Sequence, residues 1–167
     1  MKTRIHTLQD TLAFQLQGLY FAETKIKEEL GSRDYGISSP SLKKEVQRYA
    51  ASADEKLLKY ERIFNYLMQE PDSRNNTVIT KLLDDTREML TYTDSSHLRN
   101  ILMVSCLQNL NAFKICAIKV AYMFTLELGL DTAADLLQQI LEWELETAKA
   151  LSRAALEEFN KTQIANG

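Results

Sequence analysis

Residues 101–128 have the sequence ILMVSCLQNLNAFKICAIKVAYMFTLEL, which is apolar on nearly every face of a helix. Gly129 follows this stretch, and Asp131-Thr132 then provides the start of another helix. The pattern predicts a long helix over about residues 96–128. A tight hairpin joins it to an antiparallel helix over about residues 132–159.

Three more helices are predicted upstream, over about residues 7–30, 40–69 and 77–90, and residues 160–167 are predicted to form a tail. The chain has only five Gly and two Pro, a scarcity that favours long helices over strands and tight turns. The sequence therefore predicts an all-α protein with a single domain over residues 1–167. Its architecture is an antiparallel four-helix bundle with one extra short helix between the second and third long helices.

Charge and targeting signals restrict the partners of the chain. A formal net charge of −3 and the lack of a basic stripe argue against nucleic-acid binding. No apolar run follows the charged N-terminal residues, so no signal peptide is predicted and a cytoplasmic location is expected. Lys114 and Lys119 interrupt the apolar helix, and charge at mid-span is costly in lipid. A buried helix is predicted instead of a membrane span.

The two cysteines lie ten residues apart on the predicted fourth helix. They are about 15 Å apart along the axis by helical rise, too far for a disulfide. Cys106 and Cys116 are predicted to be free, buried thiols that react slowly.

Two glutamates occupy core positions. Glu23 lies on the apolar stripe of the first helix, and Glu144 lies on that of the last. A buried carboxylate without a partner is costly, so each needs a cation, a metal or a proton. Alternatively, either side chain leans to the edge of its stripe and reaches water.

Other chemistry finds little support in the sequence. A di-iron or di-manganese bundle needs Glu-x-x-His motifs, and the histidines here are His6 and His97, neither of them at mid-helix. Neither thiol has a nearby histidine, and no glycine-rich phosphate loop is present. No catalytic residue is predicted.

The chain resembles the YciE/YciF family of ferritin-like proteins over about residues 8–159. Leu19-Tyr20-Phe21-Ala22-Glu23 is similar to the family's Leu-Tyr-x-Ala-Glu on the first helix, and residues 57–67, 108–129 and 137–151 are similar to its later helices. The resemblance implies a ferritin-like bundle connected with stress responses and a homodimer.

Most metal-ligand positions of that family are substituted. Tyr49-Ala50-Ala51-Ser52-Ala53 stands where the family has His-Leu-x-Glu-Thr, and Asn111-Ala112-Phe113-Lys114 stands where it has Glu-His-Tyr-Glu. Glu23 and Glu144 match family carboxylates. The resemblance therefore does not imply a working di-iron centre.

Lys114 replaces a family acid on the helix that faces both glutamates. We expect its ammonium to pair with Glu23, Glu144 or both, in an internal polar cluster with Asn111 and Ser52 at the former metal site. No cofactor is then needed. Alternatively, Lys114 extends along its flexible stem to solvent.

The sequence thus favours a non-catalytic, metal-free protein that acts by self-association or partner binding. The alternative is a carboxylate oxidase or metal-storage protein with iron or manganese at Glu23, Glu144 and Glu55. A dimer is expected because the fourth helix is apolar on more faces than one core can cover. The short third helix, with Val78, Ile79, Leu82 and Leu83, could instead cover the extra face within one subunit.

Overall fold

The computed structural model describes residues 4–165, except for the side chains of residues 162, 163 and 165. Its helices are α1 (Leu8–Ser32), α2 (Pro40–Ala51), α3 (Ala53–Tyr66), α4 (Thr77–Thr91), α5 (Ser96–Glu127) and α6 (Asp131–Ala165). No strand occurs within the described residues. The all-α bundle with a short extra helix, α4, is confirmed.

Side-chain caps determine where several of these helices begin. At the start of α1, the backbone N–H of Asp10 donates to the Thr7 hydroxyl, and the backbone N–H of Thr7 donates to the Asp10 carboxylate. This reciprocal pair is a capping box. Ser39, Asn76 and Ser95 each accept a backbone N–H at the start of α2, α4 and α5. Each cap satisfies a donor that the first helical turn leaves without a partner.

The predicted second helix is divided into α2 and α3 at Ser52. This residue keeps a helical conformation (φ −63°, ψ −18°), and its hydroxyl donates to the Tyr49 carbonyl at 2.8 Å. The same back-bond occurs at Thr125 inside the uninterrupted α5, so the hydroxyl alone does not explain the division. The helix also ends at Tyr66 instead of 69, because Met68 adopts a positive φ of 54°.

Two other predicted boundaries were wrong. The first helix continues through Gly31 to Ser32. The last helix continues to Ala165, so the tail predicted over residues 160–167 is helical as far as it is described. The apolar stripe of α6 ends near Phe159. The mainly polar residues that follow are still helical, although they add little to the buried face.

A charged layer divides the hydrophobic core into two parts. One apolar cluster includes Ile26, Leu107 and Leu151, and the other includes Leu16, Ile118 and Leu137. Between them along the helices lie Glu23 on α1, Lys56 on α3, Lys114 on α5 and Glu144 on α6, all fully buried. Charged side chains are almost never fully buried unless they are paired, so this layer is the feature of the bundle that needs an explanation.

Helix α5 is long and apolar enough to cross a membrane by length and composition alone. In the bundle it packs against α1, α2, α4 and α6, and it buries the polar residues Asn100, Asn111 and Lys114. The core helix of a bundle has these same properties.

One prediction for α5 was wrong. Cys106 is buried, as expected, but Cys116 is exposed. Cys116 lies on the outer face of α5 together with Ala112, Lys119 and Met123. The continuous apolar composition of the stretch concealed this exposed face.

Candidate functional site: a buried four-charge cluster

Helix periodicity places the four charges at one level. On α3, buried positions recur at Ala53, Lys56, Tyr60, Ile63 and Leu67, steps of three and four that define one helix face. Lys56 is therefore a core position by spacing. Glu23, Lys114 and Glu144 occupy equivalent positions on α1, α5 and α6, and none of the four side chains exposes any surface.

The ammonium of Lys114 joins three helices. Its Nζ lies 2.9 Å from Oε1 of Glu23 on α1 and 2.9 Å from Oε1 of Glu144 on α6. The structure thus brings together the three residues that the sequence predicts to be paired. The alternative, in which Lys114 reaches solvent, does not occur.

Lys56 adds a second buried cation. Its Nζ lies 2.6 Å from Oε1 of Glu144, the oxygen that Lys114 also contacts. Two lysines and two glutamates give the cluster a formal net charge of zero. This balance removes the largest cost of burying charge, which is an ion without a counterion.

Asn111 and Ser52 complete the polar contacts. The Asn111 amide donates to Oε2 of Glu144 at 2.6 Å, so both oxygens of that carboxylate have partners. The Ser52 hydroxyl accepts from Lys56 at 3.1 Å. Both predicted residues therefore join the cluster, and Ser52 does so through Lys56, which was not predicted as a member.

Aromatic rings surround the ammonium groups. Nζ of Lys114 lies 4.7 Å from the centre of the Tyr49 ring, and Nζ of Lys56 lies 5.4 Å from that of Trp143. At these distances the ring faces attract the cations. Among the described residues, the hydroxyls of Tyr49 and Tyr60 and Oε2 of Glu23 have no hydrogen-bond partner.

The electrostatics favour the ionised form of the central pair. Burial opposes the charge on Lys114, but the carboxylates of Glu144 and Glu23 outweigh it and raise the pKa of Lys114 well above its ordinary value. Burial also opposes the charge on Glu144, yet Lys114 and Lys56 hold the pKa of Glu144 below its ordinary value. Both groups are therefore charged at neutral pH.

The two lysines differ in their environments. Burial lowers the pKa of Lys56, and the nearby Lys114 ammonium acts in the same direction. Burial raises the pKa values of Tyr49 and Tyr60, so both phenols stay neutral. The ionic part of the cluster is thus confined to the lysines and glutamates.

Glu55, the third ligand of the alternative metal site, lies outside the cluster. Its side chain is exposed, whereas the adjacent Lys56 is fully buried. Leu57, one position from Lys56, is a core residue by type, yet it is only half-buried. Counting back from Leu67 in steps of four and three leads to Lys56, so the sequence did contain a signal for its burial. Lys56 was still unexpected there, because charged side chains are rarely core residues.

The donor set does not fit a metal ion. Within residues 4–165, no three His, Cys, Asp or Glu side chains are grouped closely enough to hold one. Ammonium groups lie within 2.9 Å of Oε1 of both Glu23 and Glu144, which is where a cationic metal would compete with them. Lysine ammonium has no lone pair to offer a metal.

Comparison with solved structures supports the fold. The E. coli stress protein YciF superposes with a TM-score of 0.88 at 18% identity, covering 94% of this chain and 99% of that one. YcfI from Rhodopseudomonas palustris superposes with a TM-score of 0.86 at 20% identity, covering 91% of this chain and 97% of that one. At these identities the likeness establishes the fold alone.

The sequence comparisons identify the family. No curated protein matches the chain. A family model described as "Domain of unknown function (DUF892)" matches residues 7–164, which includes all but the last residue of the six helices and all four members of the charged cluster. The chain therefore belongs to the DUF892 family and has the helical-bundle fold of YciF.

Proposed function

We propose that this chain is a metal-free, non-catalytic bundle protein of the ferritin-like, stress-associated YciE/YciF type. It acts in the cytoplasm by association, either with itself or with another protein. The observation that carries the proposal is the pairing of Lys56 and Lys114 with Glu23 and Glu144 at the centre of the bundle. The protein's own cations balance the carboxylates, so the fold needs no metal there.

Burial of the cluster argues against catalysis. All four charged side chains are fully buried. A recess beside Tyr49, Ser52 and Trp143 has a volume of about 10 Å³, no more than a single water molecule occupies. A substrate could contact the charges only if the surrounding side chains moved, and both central ions are held in one protonation state by their partners.

The outer face of α5 supports association. Met123 and Leu126 are 66% and 53% exposed, and Ala112 and Cys116 are exposed on the same side. Helix α4 packs Ile79, Leu83 and Leu90 into one apolar cluster with α5, yet this outer face remains uncovered. Exposed apolar side chains on one helix face, here interrupted by Lys119, are a candidate interaction surface.

One observation favours a second candidate, a dinuclear iron or manganese carboxylate protein with a site at Glu23 and Glu144. Oε2 of Glu23 is buried without a partner, and a metal would use such an oxygen. That candidate requires the ammonium groups of both lysines to leave the oxygens they contact. It also requires ligands other than Glu55, whose side chain faces solvent.

Elemental analysis of protein purified without chelators separates the two candidates. We expect iron, manganese and zinc each to be far below one atom per chain. Soaking with each divalent ion followed by desalting should leave that result unchanged, and EDTA should not change the melting temperature. Near-stoichiometric metal in the purified protein would overturn the proposal.

A further inference from the structure

Three arginines line a recess on the outside of the bundle. The recess lies beside the segment that follows α1, the end of α4 and the start of α5, and it has a volume of about 460 Å³. Arg33, Arg87 and Arg99 line it together with Tyr35 and Leu90. Small-molecule sites in proteins have volumes of about 300–1,000 Å³. The recess is therefore large enough for a small ligand, and none of its lining residues belongs to the buried cluster.

A buried glutamate fixes two of these arginines. Oε2 of Glu29 lies 3.4 Å from Nε of Arg33 and 3.0 Å from Nη2 of Arg87, and its Oε1 lies 3.5 Å from Nζ of Lys25. Nη1 of Arg87 also contacts Oδ1 of Asp84 at 3.2 Å. Three cations thus share two carboxylates. Glu29 therefore fixes the positions of Arg33 and Arg87 without balancing all of the positive charge around it.

Arg99 is held by backbone atoms. Its Nε donates to the carbonyl of Thr93 at 3.0 Å, and its Nη1 lies only 3.1 Å from where a Cβ on Gly36 would be. Gly36 has a φ of 66°, which glycine adopts without strain. The guanidinium therefore lies close against the loop, where a larger residue would crowd it. Arg99 is half-buried and has no ion-pair partner among the described residues.

The ends of the helices explain only part of this charge. Arg33 follows the last residue of α1, and Arg87 lies near the end of α4. Cations are stabilising at helix C-termini, so these two arginines have a structural reason for their places. Arg99 lies near the start of α5, where the helix dipole disfavours a cation. Helix stability therefore does not account for Arg99.

We propose that the recess binds the phosphate group of a small molecule between Arg33 and Arg99. Both guanidinium groups are held through Nε, and the terminal nitrogens of each have no hydrogen-bond partner within the described part of the chain. The two terminal nitrogens of a guanidinium form the fork that binds an oxyanion through two hydrogen bonds. Each arginine therefore presents an unused fork.

Phosphate suits two forks better than a carboxylate does. A phosphate group offers three oxygens and a charge of about −1.5 to −2 at neutral pH, whereas a carboxylate offers two oxygens and one negative charge. The ring of Tyr35 and the side chain of Leu90 line the same recess and provide apolar surface for an organic group attached to the phosphate. The site is separate from the association proposed above, so either proposal can fail alone.

Asp34 opposes an anion in this recess. It also lines the recess, its side chain is exposed, and its Oδ1 accepts from the backbone N–H of Gly36 at 2.8 Å. Asp34→Asn would remove the negative charge and keep an oxygen that accepts from Gly36. This substitution should therefore strengthen phosphate binding, which a merely damaged protein would not do.

An NMR titration tests the site. Inorganic phosphate is added to the full chain at neutral pH and constant, low ionic strength, and the backbone amide signals of Gly36 and Arg99 are followed. We expect saturable shifts with a dissociation constant on the order of 1 mM, a weak affinity suited to so small a ligand. Phenyl phosphate distinguishes the two sources of phosphate. Tighter binding of the ester indicates an organic phosphate that contacts Tyr35 and Leu90, and equal binding indicates free phosphate.

Three variants connect the signal to the arginines. Arg99→Gln should weaken phosphate binding about fivefold, the upper range for a partly exposed ion pair. Asp34→Asn should strengthen it about twofold, since one repulsive exposed charge is removed. Arg62→Gln is the matched control, because Arg62 is an exposed arginine on α3 that also has no ion-pair partner among the described residues. It should leave the affinity unchanged.

Three results would overturn the site. The first is the absence of saturable shifts at Gly36 and Arg99 with either phosphate compound. The second is equal weakening by Arg99→Gln and Arg62→Gln, which would show that phosphate responds only to the overall charge of the protein. The third is tighter binding of succinate than of phenyl phosphate, which would identify a carboxylate site in place of a phosphate site.

Discussion

Lys114 on α5 and Glu23 on α1 lie 91 residues apart in the sequence, and their charged atoms meet at 2.9 Å in the centre of the bundle. The same ammonium contacts Glu144 on α6, which in turn contacts Lys56 on α3. One chain of ion pairs therefore connects α1, α3, α5 and α6. It fixes the level at which these helices face one another, because a shift by one turn would separate every pair.

Lys114→Met tests the contribution of the central cation. The substitution gives an unbranched side chain one heavy atom shorter and leaves Glu23 and Glu144 with one cation between them. Removing one member of a buried ion pair costs about 3–5 kcal/mol, and we expect a loss of that size in the free energy of unfolding by urea. Lys149→Met, at an exposed lysine paired with Glu146, should have a much smaller effect.

Removing the whole cluster should be far milder than removing one member. In a variant with Lys56→Met, Lys114→Met, Glu23→Leu and Glu144→Leu, no buried charge remains without a partner. Replacing buried ion networks with apolar residues is often neutral or stabilising. A quadruple variant less stable than Lys114→Met alone would show that the cluster contributes more than charge balance, and urea unfolding of both variants decides this.

Acid should weaken the cluster. The pKa of Glu144 is lowered in the folded protein, so its contribution to stability is present above the ordinary glutamate pKa and is lost as the pH falls through the folded value. We expect the difference in unfolding free energy between wild type and Glu144→Gln to shrink below about pH 4.5. A difference that stays constant from pH 7 to pH 3 would contradict a charged Glu144.

The two thiols should react at very different rates. Cys116 is exposed, whereas Cys106 is buried, and burial raises the pKa of Cys106 to about 11. Because the thiolate is the reactive form, one thiol per chain should react quickly with a thiol reagent in native protein and the second only after denaturation. Cys116→Ser should abolish the fast phase, and its persistence would place Cys106 at the surface.

Helix periodicity and capping residues made most of the fold predictable. The stripes of α1 and α6, the Ser39 cap and the Gly129 hairpin follow directly from residue types and spacing. The interruption at Ser52 does not, because no Gly or Pro marks it and Ser52 itself keeps helical backbone angles. An apolar stripe does not indicate how far a helix continues once its residues are polar. The continuation of α6 to Ala165 was therefore not predicted.

The cluster was predictable where charge interrupted a clear apolar pattern. Glu23 and Glu144 stand out on their stripes, whereas Lys114 was selected because the family resemblance places it at an acid position on the facing helix. Lys56 was missed because the neighbouring Leu57 offers a plausible core position one residue away. Which of the two faces inward depends on the rotation of α3, which the packing of all four helices determines.

A crystal structure of protein soaked in manganese tests the central account most directly, because anomalous scattering locates the metal and the map shows both lysines. We expect no anomalous peak between Glu23 and Glu144, with Nζ of Lys114 within hydrogen-bond distance of both. A peak at about 2.0–2.2 Å from their carboxylate oxygens, the range of metal–oxygen bonds, with Lys114 and Lys56 turned away, would contradict it.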